Sequence, residues 1–176
     1  NELASRLSYT LWKDMPNEQL LANKEKLVGN KEFLKNQISE MMKDHRFKAF
    51  IEELFGQWLH LSKFDSVAFS TRQYPQFDQG LILSSKNEIL EFISYVVRED
   101  LSLSNLVDSD FTVVNPMMAQ FYGLPAHGSN EFKKVMLPEN LRYRGGLLGK
   151  AALQAMGTTG ERNSPVERGA DRKSVV

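Results

Sequence analysis

The chain reads as an all-α protein, a mostly helical array or bundle with at most one short extended segment. Three observations predict this. Apolar residues recur at the 3.6-residue helical period along most of the chain. Residues that start and stop helices, chiefly Asn, Ser, Pro and Gly, punctuate that period. The connections between periodic segments are short, which favours neighbouring antiparallel helices.

The elements follow in order. Leu3, Leu7 and Leu11, with Trp12 beside them, mark a first helix that stops near Pro16. Pro16 suits the first turn of a second helix running to about Val28, because a proline there gives up no needed N–H. Gly29-Asn30 ends that helix and caps the next, on which Leu34, Ile38, Met41 and Met42 share a face. Phe47, Phe50, Ile51, Leu54, Phe55, Trp58 and Leu59 form the widest stripe, expected on one helix at the centre of the core. Residues 62–80 read as loop. A long helix follows from about Ile82 to Glu99, with Ile89, Ile93, Val96 and Val97 on one face. Asn115-Pro116 reads as N-cap and first helical residue of a short helix ending at Gly123. Pro125 to Asn130 gathers linker residues. Phe132 to Leu137 is the one extended candidate. Gly145-Gly146 introduces a small-residue helix from about Leu147 to Met156. After a Gly/Thr loop over 157–163, Ser164-Pro165-Val166-Glu167 has the form of a capping box.

These boundaries give a helical domain over 1–125, a linker over 126–140 and the start of a second module over 141–170. Both ends look like cuts. The chain opens on Asn1 inside an apolar-periodic run, and Asp171 to Val176, read back into codons, matches a common short-read sequencing adapter. Those last residues are expected to be an artefact outside the fold.

Composition narrows the function classes. Hydrophobic residues are 41% and charged residues 25%, too apolar for a disordered chain. Lys+Arg and Asp+Glu both count 22, so the basic excess of a nucleic-acid footprint is missing. No apolar run approaches the roughly 18 residues of a membrane span. With no Cys, this chain offers no disulfide, no thiolate ligand and no Cys-x-x-Cys-His haem attachment. No cofactor is therefore expected on it.

Candidate chemistry is sparse. His45 and His60, read as sharing one helix, would stand roughly 22 Å apart at 1.5 Å per residue, too far to share an ion. His127 falls in the linker, so no metal site is expected. Glu88 and Glu91 are neighbours on one helix, and Glu88 lies one turn before Phe92, where partial burial and a raised pKa are conceivable. Asp108 and Asp110 flank a turn. A solvated helix face and turn-forming aspartates are the plainer reading. Ser164 has no base nearby in sequence and reads as a helix cap. The Met and aromatic stripes read as core packing in preference to a haem-docking face. The most distinctive patch sets Arg142, Arg144, Arg162 and Arg168 among Gly145, Gly146, Gly157 and Gly160, with helix starts near Gly146 and at Ser164. Arg144, Gly146, Arg162, Ser164 and Arg168 are the candidate anion or ligand site, since helix N-termini flanked by Arg hold anions. The structural alternative has these arginines tying loops to carboxylates and carbonyls.

Longer motifs carry a resemblance. Ala4-Ser5-Arg6-Leu7-Ser8-Tyr9-Thr10-Leu11-Trp12, Met15-Pro16, Phe55-Gly56-Gln57-Trp58-Leu59, Phe77-Asp78, Glu88 ahead of Phe92, and Phe111-Thr112-Val113-Val114-Asn115 leading to Phe121-Tyr122-Gly123 occur in order. This set, over about residues 2–125, resembles a bacterial domain-of-unknown-function family, number 1592. Arg144-Gly145-Gly146-Leu147-Leu148 and Asn163 to Gly169 resemble the start of a partner family, number 1588. That second pattern more often has Thr where this chain has Asn163, and here it breaks off at Ala170.

The resemblance implies large, exported, multi-domain proteins, many with a c-type cytochrome domain elsewhere, and so a periplasmic or otherwise extracytoplasmic location. It carries no catalytic residue. The leading expectation is an accessory or scaffold module, partnered by other domains of the same polypeptide and by a c-type cytochrome whose haem sits on another domain. The alternatives are an extracytoplasmic oxidoreductase or hydrolase with its site between two modules, lined by Arg144, Arg162, Ser164, Glu167 and Arg168, or a module binding an anionic polymer.

Overall fold

A computed structural model describes residues 2–70, 72, 74–126 and 128–158. They form two compact units, divided in sequence between Leu54 and Phe55.

The first unit holds α1 (Glu2–Leu11), α2 (Glu18–Ala22), α3 (Lys24–Gly29), α4 (Lys31–Lys43) and the start of α5 (Phe47–Trp58). Ala4, Trp12, Leu20, Leu27 and Met41 are its buried core, with Leu3, Leu7, Leu11, Phe33 and Leu34 packed around them. The single helix expected from Pro16 to Val28 is two short ones. Pro16 stays outside, and Asn17 is the cap, its side chain accepting from the Leu20 N–H at 2.8 Å. Asn23 breaks the run because its side-chain amide donates to the Gln19 carbonyl at 3.0 Å, competing with the helical ladder. Asn30 caps α4 as expected, accepting from the Phe33 N–H at 3.0 Å.

A clamp closes this unit. The Trp12 indole donates to the Met41 carbonyl at 3.0 Å, and the Arg46 guanidinium lies 3.5 Å above the Trp12 ring. Asp44 grips Arg46 from two sides, at 3.0 and 2.7 Å. That bidentate hydrogen bonding holds the Asp44 carboxyl at about 2 and raises Arg46 above its ordinary value.

The second unit is built around α7 (Gln79–Arg98), with α6 (Ser62–Asp65), β1 (Phe111–Val114), α8 (Pro116–Tyr122), β2 (Lys133–Met136) and α9 (Ala151–Met156). Asp78 caps α7 by accepting from the Leu81 N–H at 2.8 Å. Asn115 caps α8 in the same way, Pro116 follows it, and Gly123 closes the helix in the left-handed region at φ 71°. Ile89, Phe92, Ile93 and Val96 of α7 are fully buried, and the helix packs against β1, α8 and α9.

Four further expectations change. First, the protein is mostly helical but not all-α: β1 and β2 pair antiparallel, with Phe111 opposite Met136 and Val114 opposite Lys133. β1 escaped detection because all four residues are buried, which removes the alternation that marks a strand, although Thr112, Val113 and Val114 are β-branched. Second, the centre of the core is α7. The stripe at 47–59 is too wide to bury entirely, and Leu54 and Trp58 are 48% and 41% exposed. Third, His45 and His60 flank α5 instead of riding on it, His60 in a left-handed turn at φ 51°. Fourth, the helix expected over 147–156 is a 3-10 turn, Leu147–Gly149, then an extended Lys150 at ψ 139°, then α9.

No helix among the described residues is long and apolar enough to cross a membrane. Among the same residues no group of three or more His, Asp or Glu side chains is placed to hold a metal ion.

Candidate functional site

The chemistry of the second unit concentrates in its interior. Glu88, on the face of α7 that also carries Ile89 and Phe92, is fully buried. Lys150 is fully buried too, because its extended backbone turns the side chain inward between the 3-10 turn and α9. The ammonium lies 3.2 Å from Glu88 Oε1 and 4.1 Å from the centre of the Phe92 ring.

Two hydroxyls complete the arrangement. Thr112, midway along β1, donates to Glu88 Oε1 at 3.0 Å and accepts from the Lys150 ammonium. Tyr122, the last residue of α8, donates to Glu88 Oε2 at 2.6 Å and accepts from the Ala151 N–H at 3.0 Å. Each carboxylate oxygen thus has its own hydroxyl. Each hydroxyl in turn accepts from one of two consecutive residues, Lys150 or Ala151. A buried charge is tolerable only when paired and hydrogen-bonded in this way.

Burial dominates the electrostatics. It pulls the Lys150 ammonium below its ordinary value, and the charge of Glu88 opposes that fall. The Tyr122 phenol is pushed well above 10.0, first by burial and then by the adjacent Glu88 charge. It therefore stays protonated and keeps donating to the carboxylate.

The glycine-rich loop sets the position of Lys150. A Cβ at Gly145 would overlap the Ser109 carbonyl, one at Gly146 the Val107 carbonyl, and one at Gly149 the Tyr143 carbonyl. Gly146 also sits at φ 69°, a conformation other residues rarely adopt. Gly145 and Gly146 let this loop lie directly on the backbone of residues 107–109, and Gly149 lets it fold back on Tyr143 and Arg144. Ser109 ties the seam, donating to the Phe111 carbonyl at 2.6 Å and accepting weakly from the Gly146 N–H at 3.4 Å.

The arginine patch is placed only in part. Arg162, Ser164, Glu167 and Arg168 lie outside the described residues, as does His127. Arg144 stacks on Tyr122 at 4.6 Å and Tyr143 at 5.2 Å, and donates to the Gly149 carbonyl at 3.3 Å. Arg142 reaches Asp108 at 3.9 Å on the surface. Of the sequence-predicted groups, the structure brings Glu88 to the Tyr122 hydroxyl and Arg144 over the Tyr122 ring. Sequence pattern alone does not mark Lys150, Thr112 and Tyr122 as chemical groups. The available signal was Lys150 itself, a lone charge inside Leu147-Leu148-Gly149-Lys150-Ala151-Ala152-Leu153, a segment too apolar to leave in water.

Grooves lie elsewhere among the described residues. One of about 460 Å³ is lined by Gln76, Asp78, Leu81, Met117, Gln120 and Phe121, none of them in the Glu88 cluster. Another of about 370 Å³ lies in the first unit between α1 and α3.

A family model described as Protein of unknown function (DUF1592), also labelled PSD4, matches residues 1–124. No curated protein and no solved structure matches the chain.

Proposed function

The chain belongs to the family of proteins of unknown function DUF1592, and we propose that it serves as a helical accessory or scaffold module of a larger exported protein. The observation that carries this reading is the closure of the Glu88 cluster. Both residues are 0% exposed; the carboxylate is matched by Thr112 of β1, Tyr122 of α8 and Lys150, and the ammonium by Glu88 and Thr112. A general acid or a nucleophile must reach a substrate. Here the buried carboxylate, ammonium and hydroxyls are used on one another, as in a structural lock. Arg144, stacked on tyrosines and bound to a backbone carbonyl, supports the same reading over an anion site at Arg144 and Gly146.

The extracytoplasmic location, the c-type cytochrome partner with haem on another domain, and the assignment of residues 141–170 to a module like family 1588 are part of this proposal. They rest on the motif resemblance.

Amine labelling of the native chain, read by peptide mass spectrometry, tests the lock. Lys150 should react at least about 100-fold more slowly than the exposed Lys31 and Lys133, as a group reached only by opening of the fold. Rapid labelling, or capture of an added aldehyde on Lys150 by borohydride, would point to an accessible amine and to the enzyme reading. A haemochrome spectrum of the full-length gene product tests the cytochrome association; absence of bound haem and of cytochrome co-purification would remove that part.

A further inference from the structure

We propose that residues 145–156 are an obligatory part of the fold that the family match describes only to residue 124, seated in a socket whose specificity is for a cation. The inference rests on the scaffold reading and names what the scaffold holds. The socket is made by α7, β1 and α8, and its floor is an acidic group. Glu88 carries a full charge into an interior of Ile89, Phe92 and Ile93, and neither Thr112 nor Tyr122 supplies a positive charge. The matching cation comes from beyond residue 124, on Lys150.

The segment fits in three further ways. Leu147, Ala151, Ala152 and Met156 are buried, so its apolar side is inside. Gly145 and Gly146 allow backbone-to-backbone contact with Ser109 and Val107, just before β1, where any Cβ would collide. Ala151 satisfies the Tyr122 hydroxyl with a main-chain N–H, which ties the register of the segment to the socket by one residue. A shift of one residue would place Gly149 or Ala151 at the position of the ammonium and leave the carboxylate buried without a counter-charge.

The experiment keeps the whole chain and inserts a protease site between Glu139 and Asn140, both exposed, so that β2 remains with the first fragment. After cleavage, the fragment beginning at Asn140 should stay bound through size exclusion at micromolar concentration. In the Lys150→Met chain the same fragment should bind at least about 100-fold more weakly, since the Glu88 carboxylate is left buried without its counter-charge. Glu88→Gln combined with Lys150→Met should recover at least about tenfold of that loss. Release of the wild-type fragment on cleavage overturns the obligatory segment. Binding of the Lys150→Met fragment within about threefold of wild type overturns the cation specificity. Either result leaves the scaffold reading to the amine-labelling test, which fails only if Lys150 is reactive before cleavage.

Discussion

Replacing Lys150 by Met removes the charge and keeps most of the volume. The side chain is 0% exposed and its ammonium lies 3.2 Å from Glu88 Oε1. At an effective dielectric of about 20 the lost attraction is about 5 kcal/mol. Glu88 keeps its hydrogen bonds from Thr112 and Tyr122, which limits the penalty. The expected loss is therefore about 3–4 kcal/mol, inside the range for breaking a buried pair. Glu88→Gln alone should cost less, about 2–3 kcal/mol, because Lys150, already held below its ordinary pKa, can shed its proton. The double variant should cost no more than the worse single one, since a buried pair replaced by neutral groups is often close to neutral. Urea unfolding followed by circular dichroism at 222 nm gives all four free energies and a coupling expected to exceed about 2 kcal/mol. A Lys150→Met cost under about 1 kcal/mol with coupling below about 0.5 kcal/mol would refute the claim that the pair locks the second unit.

Other outcomes follow from the same geometry. Tyr122→Phe should lose about 2–3 kcal/mol in the same urea assay, because one hydroxyl both donates to a carboxylate and accepts from Ala151. In wild type, Tyr122 should be the tyrosine that ionises last in a titration at alkaline pH. Its folded pKa exceeds the unfolded 10.0, so its contribution is complete below pH 10 and is lost as pH rises toward the folded value. Gly146→Ala should destabilise by more than about 2 kcal/mol from strain and collision, whereas Gly56→Ala, in helix with open space around it, should gain about 0.5–1 kcal/mol; thermal melts distinguish them. Asp44→Asn should cost about 1–2 kcal/mol at pH 7, allowing for partial solvent screening, and shift Trp12 fluorescence by loosening Arg46. In wild type the Asp44 contribution is present above its ordinary 3.8 and disappears as pH falls through about 2.

Local signals in the sequence predicted elements where one residue decides the outcome. Asn30, Asn115-Pro116 and Gly123 act through their own side chains or their own φ, so caps and ends at those positions were legible. Asn23 was not, because splitting a helix there depended on its amide finding the Gln19 carbonyl in place of solvent. β1 was hidden by depth: a strand buried on both faces shows neither alternation nor helical spacing. The site was half legible. Glu88 stood out by its place ahead of Phe92. Its partners lie 24, 34 and 62 residues away in Thr112, Tyr122 and Lys150, and only the folded chain brings them together. Within the arginine–glycine patch, Gly145 and Gly146 serve close packing, and the buried charge lies on Lys150, a few residues after them.

The most direct test of the lock is native-state hydrogen exchange at the Ala151 amide, which is bound to the Tyr122 hydroxyl. If residues 145–156 are held as described, this amide exchanges only through global opening of the second unit. Its rate should then match that of Phe92 and Ile93 in α7, and it should rise together with theirs in Lys150→Met. Exchange at Ala151 that is orders of magnitude faster than at Phe92 would show the segment leaving its socket while the helix stays folded, and would contradict the account.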